Sequence, residues 1–139
     1  MGLAKIESKI FLGYAHCDTA EWNVGICFMM EFVSTMFLVS MVYHTAVNST
    51  KPNELVYGLC IAGTLGISVV TIGNVTGAAL NPWRVIPSAA LTGELWTAAY
   101  NSYAWIYYLG NPLAGIMIGL MWRTVFQLSE EAKAEGDLE

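Results

Sequence analysis

The sequence predicts an all-α membrane protein with three transmembrane helices and one re-entrant half-helix. Apolar residues make up 55% of the 139 residues and charged residues only 12%, which is about half the charged share of soluble domains. The charges are also unevenly distributed. Residues 24–47 contain no ionisable side chains except Glu31, His44, the thiol of Cys27 and the phenol of Tyr43. A bilayer core about 30 Å thick needs roughly 18–25 apolar residues in a helix, so such stretches favour membrane spans.

Three spans are predicted, at about residues 24–47, 55–72 and 104–126. A turn rich in polar residues and helix breakers, residues 48–53, separates the first two, and the segment Gly110-Asn111-Pro112 interrupts the third. We therefore predict an interfacial N-terminal segment at residues 1–23, a membrane domain at residues 24–126 and a soluble acidic tail at residues 127–139. The chain is expected to be an integral, multi-pass protein whose first partner is the lipid bilayer.

The segment between the second and third spans is apolar, but it is too short and too interrupted to cross a membrane. Asn81 is a favourable N-cap and Pro82 lies at the favoured first helical position, so a short helix is predicted from Pro82 to about Thr92, closed by Gly93. Irregular backbone at membrane depth is tolerated only where protein buries it or where it lines a wet cavity. The sequence therefore predicts a re-entrant loop followed by a half-helix, an element that builds transport sites.

Several classes of function are disfavoured by the composition. No basic patch is present that would attract nucleic acid, and Cys17, Cys27 and Cys60 lack the spacing of metal ligands. Cys27 and Cys60 fall within apolar runs, where we expect them to be small buried side chains. Ser68 has no histidine placed to activate it, and neither an HExxH motif nor a pair of intramembrane aspartates occurs. We expect no catalytic residues, no metal and no cofactor, and hence no enzyme.

Three motifs resemble the aquaporin, or major intrinsic protein, family in the second half of its fold. The run TGAALNPWR at residues 76–84 resembles the family's TG-x-x-x-NPAR loop. The run EFVST at residues 31–35 resembles the E-F-x-x-T of the fourth family helix, and WIYYLGNPLAG at residues 105–115 resembles the W-I-Y-W-x-G-P-x-x-G of the sixth. The last run contains one apparent extra residue, Asn111. Because the three motifs occur in the family order, the resemblance is specific, and it implies half of an aquaporin-like fold.

The resemblance implies that Asn81, Pro82 and Trp83 form the pore motif. The amide of Asn81 would donate to a single file of water, and the positive end of the half-helix dipole would disfavour cations and protons there. Trp83 stands where alanine is usual in the family. Its indole could plug the contact between the two half-helices, pack sideways or narrow the pore.

Arg84, Val69 and Ala78 are the residues that match the family's narrowest point. An arginine in an apolar stretch costs roughly 2.5–3.5 kcal/mol unless it faces water or a partner. Val69 stands where many water-selective members have histidine, which suggests passage of larger solutes such as ammonia, urea or glycerol, although Val85 differs from the aspartate usual in the glycerol branch. Alternatively, Val69 is a packed core residue and the register is off by one. The residues expected to support the loop are Glu31, as an acceptor of loop N–H groups, Gly77, as a turn residue, and Thr76.

The resemblance also implies that half of the fold is missing, since the family has two inverted halves with three spans each. Alone, this chain would leave the loop backbone and Arg84 facing lipid. It could be a fragment or truncated product, it could pair with a complementary channel half, or two copies could insert in opposite directions. The predicted function is a passive channel, or half of one, for water and small uncharged solutes, with tetramers implied by the family. The alternative is a truncated, non-conducting membrane protein that associates with full-length channels.

Overall fold

A computed structural model describes residues 15–47 and 54–128, and these residues are mostly helical, with no strand among them. Within these ranges, three helices are long and apolar enough to cross a membrane, at Val24–Val47, Val56–Thr76 and Ala98–Val125. The predicted fold class, an all-α membrane protein with three spans, is confirmed. Residues 1–14, the predicted turn at residues 48–53 and the part of the predicted acidic tail from residue 129 onward lie outside the described residues.

The first span is central, because it packs against both other spans. It consists of α1 (Val24–Val42), continued by a wide π turn, π1 (Tyr43–Val47). The side chain of Asn23 caps α1 by accepting from the backbone N–H of Gly25 at 2.7 Å. Its inward face carries Cys27, Glu31 and Thr35, which are spaced by four residues and therefore share one side of the helix.

The second span, α2 (Glu54–Thr76), continues four residues beyond the predicted end at residue 72. The prediction was wrong because hydrogen bonds hold the last turn in helical form. The hydroxyl of Thr76 contacts the carbonyl of Ile72 at 3.3 Å, and the N–H of Gly77 donates to Gly73 at 3.0 Å. The helix then ends at Gly77, whose φ of 78° lies in the left-handed region that glycine adopts without cost.

The half-helix, α3 (Pro82–Leu91), begins and ends as predicted. Asn81 caps it, because its side-chain oxygen accepts from the N–H of Trp83 at 2.9 Å, and Gly93 follows its C-terminal end with φ 73°. Ten residues of α-helix extend about 15 Å, which is half of a bilayer core of about 30 Å. This element therefore cannot cross a membrane by itself.

The third span begins earlier than predicted, and the predicted break at Gly110 is absent. It runs through α4 (Ala98–Tyr103), π2 (Ile106–Gly110), α5 (Asn111–Met121) and π3 (Trp122–Gln127). The start was misjudged because Thr97 caps α4, accepting from the N–H of Tyr100 at 3.2 Å. Pro112 is tolerated because the hydrogen-bond pattern changes at π2, immediately before it.

The expectation for the cysteines was wrong in two respects. Cys27 is fully buried, but it forms a disulfide with Cys17, and the two Cα atoms are 6.2 Å apart, within the range that a disulfide can bridge. Cys60 is a free thiol and only partly buried. The disulfide draws the segment before α1 into the core, where Ala15 is 1% exposed.

One core cluster joins this segment to the loop, the half-helix and the start of the third span. Its buried members are Ala15, Cys17, Cys27, Ala79, Val85, Ala89, Tyr100, Tyr103, Ala104, Ile106 and Tyr107.

Candidate functional site

The backbone between α2 and α3 has an unusual conformation. Gly77 has φ 78°, but Ala78 and Leu80, which carry a Cβ, also have positive φ values of 44° and 54°. Each such residue costs on the order of 1–3 kcal/mol and persists only where its surroundings enforce the conformation. The irregular loop at residues 77–81 is therefore held in place by contacts from outside its own sequence.

Glu31 supplies the main contacts. Its side chain is completely buried. One carboxylate oxygen accepts from the N–H of Ala79 at 2.9 Å and from the hydroxyl of Thr76 at 2.6 Å, and the other accepts from the N–H of Leu80 at 2.8 Å. A buried carboxylate needs such donors, and the irregular loop needs an acceptor for its N–H groups, so each satisfies the other. The first span thus fixes the loop through the side chain of Glu31.

Thr76 fastens the loop to the third span as well. Its carbonyl accepts from the hydroxyl of Tyr107 at 2.7 Å and from the N–H of His16 at 3.2 Å. Its own hydroxyl accepts from the N–H of Ala78 at 3.2 Å. The ring of His16 in turn contacts the hydroxyl of Tyr103 at 3.0 Å. All three spans and the segment before α1 therefore converge on the end of α2.

The tip of the half-helix faces away from this support. Asn81 is exposed, and its side-chain oxygen, rather than its NH₂ group, caps α3 by accepting from the N–H of Trp83. Pro82 is half-buried. The indole of Trp83 is 75% exposed, so it does not pack sideways against this chain.

Arg84 is exposed, and one guanidinium nitrogen donates to the carbonyl of Ala78. The structure thus brings two of the three predicted constriction residues together. The side chain of Ala78 is itself fully buried, so only its carbonyl is engaged with the arginine. Val69 lies two turns before the end of α2 and is 45% exposed.

Sequence reasoning missed three sets of contacts. The Cys17–Cys27 disulfide was missed because the pairing depends on a chain reversal that the spacing does not reveal. Tyr107, which donates to the carbonyl of Thr76, lies within the third-span motif at residues 105–115, but the motif alone does not indicate this contact. Thr35 and Asn111 form a buried hydrogen bond of 3.1 Å. Thr35 is part of the motif at residues 31–35 and Asn111 is the apparent extra residue of the motif at residues 105–115, but nothing in the sequence indicates that they are in contact.

Comparison with known proteins points to one family. A model of the major intrinsic protein family matches residues 6–122. Aquaporin TIP2-3 of Arabidopsis thaliana is 32% identical over 105 residues, covering 75% of this chain and 40% of that protein. Aquaporin-8 of Rattus norvegicus is 34% identical over 94 residues, covering 68% and 33% respectively. Nodulin-26 of Glycine max is 31% identical over 108 residues, covering 78% and 37%. No solved structure matches the chain.

The family match covers most of the chain, whereas the chain spans only 33% to 40% of the length of these three relatives. The resemblance seen in the three motifs is confirmed, and family membership agrees with the expectation that the chain is not an enzyme. The three apolar spans agree with the same family. The chain belongs to the major intrinsic protein family and is an integral, multi-pass membrane protein.

Proposed function

We propose that this chain forms one half of a passive channel for water and small uncharged solutes, within a membrane domain at residues 24–126. The observation that carries the proposal is the loop at residues 77–81. Its inner side is fastened by the buried carboxylate of Glu31, whereas Asn81 at its end and Arg84 in the first turn of α3 are exposed. Such a loop needs water on its outer side, because lipid would leave the amide and the guanidinium unsatisfied.

Asn81 would bind the passing solute. Its NH₂ group takes no part in the cap and would donate to the solute. Asn81 stands at the N-terminal end of α3, where the helix dipole is equivalent to about half a positive charge. A water molecule there accepts a hydrogen bond and cannot readily donate one back. This polarity favours uncharged molecules with an acceptor oxygen or nitrogen and repels cations and protons.

Arg84 would form the selective constriction together with the carbonyl of Ala78, which it already contacts. A fixed positive charge there repels cations, and its remaining N–H groups can donate to the solute. We assign the wall opposite Arg84 to Val69, whose open, aliphatic side chain would make the aperture wider and less polar than a histidine would. This combination favours small uncharged solutes alongside water.

The exposed faces of the chain support a partner that completes the channel. On α2, Gly58, Ala62 and Gly66 recur every four residues and are exposed, and small residues at this spacing allow helices to approach closely in lipid. We propose that this face and the tip of α3 are covered by a complementary channel half or by a second copy in the opposite orientation. Assembly into tetramers, as the family resemblance implies, would follow that pairing.

A second candidate function rests on Trp83. Its indole is 75% exposed at the tip of α3, where the family usually has alanine, and it could block the contact on which conduction depends. In that case the chain would associate with full-length channels without conducting.

Reconstitution can distinguish the two candidates. The chain would be joined behind the first half of the fold taken from Arabidopsis thaliana Aquaporin TIP2-3, and the purified chimera would be placed in liposomes. Stopped-flow light scattering should show osmotic shrinkage several-fold faster than that of empty liposomes. Arg84→Ala should then change the ratio of water to urea or glycerol permeability, while Arg123→Ala, at an exposed arginine in π3, serves as the matched control.

Shrinkage at the rate of empty liposomes, with the chimera folded and inserted, would contradict the channel proposal. The non-conducting candidate predicts that outcome. It also predicts that the unmodified chain co-purifies with an intact family member without adding to its permeability. Trp83→Ala would then restore conduction to the chimera.

A further inference from the structure

Asn111 lies in the third span directly after the wide turn π2 (Ile106–Gly110), at the position that stands out as an apparent extra residue in the motif. It belongs to the buried face of that span. Tyr107, Asn111, Ala114 and Ile118 are all buried and follow one another at ordinary helical spacing. A polar asparagine therefore stands among apolar and aromatic side chains on this face.

Asn111 turns inward at this point. Its side-chain oxygen accepts from the hydroxyl of Thr35 on α1 at 3.1 Å, and both residues are 3% exposed. The amide nitrogen of Asn111 has no partner among the described residues, so the bond to Thr35 is the contact that orients the side chain there. A hydrogen bond between two helices at a buried site fixes their relative height and rotation, which packing between apolar surfaces leaves adjustable.

This bond lies beside the contacts that hold the loop. Thr35 is one helical turn after Glu31, whose carboxylate binds the loop, and Asn111 is four residues after Tyr107, whose hydroxyl binds the carbonyl of Thr76. The hydroxyl of Thr76 donates to Glu31, so hydrogen bonds link α1, the end of α2 and the third span to one another. A shift of the third span along α1 would therefore move the hydroxyl of Tyr107 relative to the end of α2.

The helices have little room to compensate for such a shift. At Gly110, a Cβ atom would lie 3.2 Å and 3.3 Å from two ring carbons of Phe28 on α1. Phe28 also stacks on Trp105, with ring centroids 5.6 Å apart. The third span thus touches α1 closely at the position next to Asn111, and a polar bond there selects one register.

We propose that Asn111 is a positioning residue for the loop that carries Asn81: through Thr35 it sets the register of the third span on α1 and so keeps the hydroxyl of Tyr107 on the carbonyl of Thr76. The inference deepens the proposed function, because it names a residue outside the pore on which the loop geometry depends. Asn111 itself touches no solute in this arrangement.

Fluorine NMR tests this directly, with 3-fluorotyrosine incorporated at position 107 of the full chain in detergent micelles. The ¹⁹F resonance next to the hydroxyl should move in Thr35→Val, which removes only the donor, and in Asn111→Leu. It should shift no further in the double variant, because both changes break one bond. In Thr35→Ser, which keeps the hydroxyl, the resonance should stay at the chemical shift of the unsubstituted chain. Thr45→Val is the matched control, since Thr45 is also buried on the first span but donates to its own backbone at Met41.

An unmoved resonance in Thr35→Val would overturn the proposal, even if the melting temperature falls, because a purely structural bond would lower stability without displacing Tyr107. If Asn111→Leu does not fold, Thr35→Val breaks the same bond at nearly constant volume and decides the question. The result does not depend on conduction. Failure of the liposome assay would count against the channel, whereas failure of the fluorine assay would count against this role of Asn111.

Discussion

The two sides of the segment at residues 76–84 differ in their burial and in their contacts with the rest of the chain. On the inner side, Thr76, Ala78, Ala79 and Leu80 are buried, and Glu31 accepts two of the loop N–H groups. On the outer side, Asn81, Trp83 and Arg84 are exposed. The difference teaches that this chain fixes the conformation of the loop with its own side chains. The outer surface, where we propose that solute and partner bind, is left exposed.

The largest effect is expected on the inner side, from Glu31→Ala. This change leaves the hydroxyl of Thr76 and the N–H groups of Ala79 and Leu80 without their buried acceptor. Since each unsatisfied group costs about 1–3 kcal/mol, the free energy of unfolding, measured by steric trapping in micelles, should fall by more than about 3 kcal/mol. Glu21→Gln, at an exposed acid, is the control and should stay within about 0.5 kcal/mol. If both substitutions change the free energy of unfolding by less than about 0.5 kcal/mol, the carboxylate of Glu31 does not hold the loop.

The disulfide provides the next test of the inner side. Cys17→Ser combined with Cys27→Ser should lower the free energy of unfolding by about 2–3 kcal/mol, because the bridge closes a short loop in the unfolded chain. Alkylation followed by intact mass measurement checks the pairing first. Without reduction only Cys60 should be modified, and after reduction and denaturation all three cysteines should be. Modification of three thiols in the unreduced, denatured chain would contradict the pairing.

Tyr107→Phe separates the contribution of the third span from that of the first. It removes one hydroxyl that donates to the carbonyl of Thr76, so a loss of about 1 kcal/mol is expected, which is smaller than for Glu31→Ala. Tyr57→Phe on α2, where the ring is partly exposed, serves as the comparison. If both changes cost the same, the hydroxyl of Tyr107 makes no specific contribution to the loop.

The smallest effect on stability is expected on the outer side. Because the indole of Trp83 is 75% exposed, Trp83→Ala in the isolated chain should change the free energy of unfolding by less than about 0.5 kcal/mol. In the chimera with a first channel half, the same substitution should alter permeability, since there the indole meets a partner. A large loss of stability in the isolated chain would mean that Trp83 packs against its own helices.

The sequence predicted those parts of the structure that depend on local chemistry. The half-helix begins at Pro82 because an asparagine cap and a proline act within one turn, and the first span follows from its length and lack of charge. The remaining features depend on contacts between distant segments. The hydroxyl of Thr76 at the end of α2 donates to Glu31 on α1, and the side chain of Asn111 in the third span accepts from Thr35 on α1. The positive φ values of Ala78 and Leu80 were likewise not predictable from the sequence. The loop is held by the buried carboxylate of Glu31, which accepts from the N–H groups of residues 48 and 49 positions later, and by the hydroxyl of Thr76, which accepts from the N–H of Ala78.

The central claim is that the loop has one side in protein and the other in water, and paired cysteine substitutions test it most directly. In the chimera with Cys60→Ala, Arg84→Cys and Ala79→Cys would be treated in liposomes with a small, water-soluble, charged thiol reagent. Arg84→Cys should react and lose permeability, while Ala79→Cys, five residues earlier at a position that is 2% exposed, should remain unmodified. Reaction at Ala79→Cys, or reaction of Arg84→Cys only with a lipid-soluble reagent, would contradict the account.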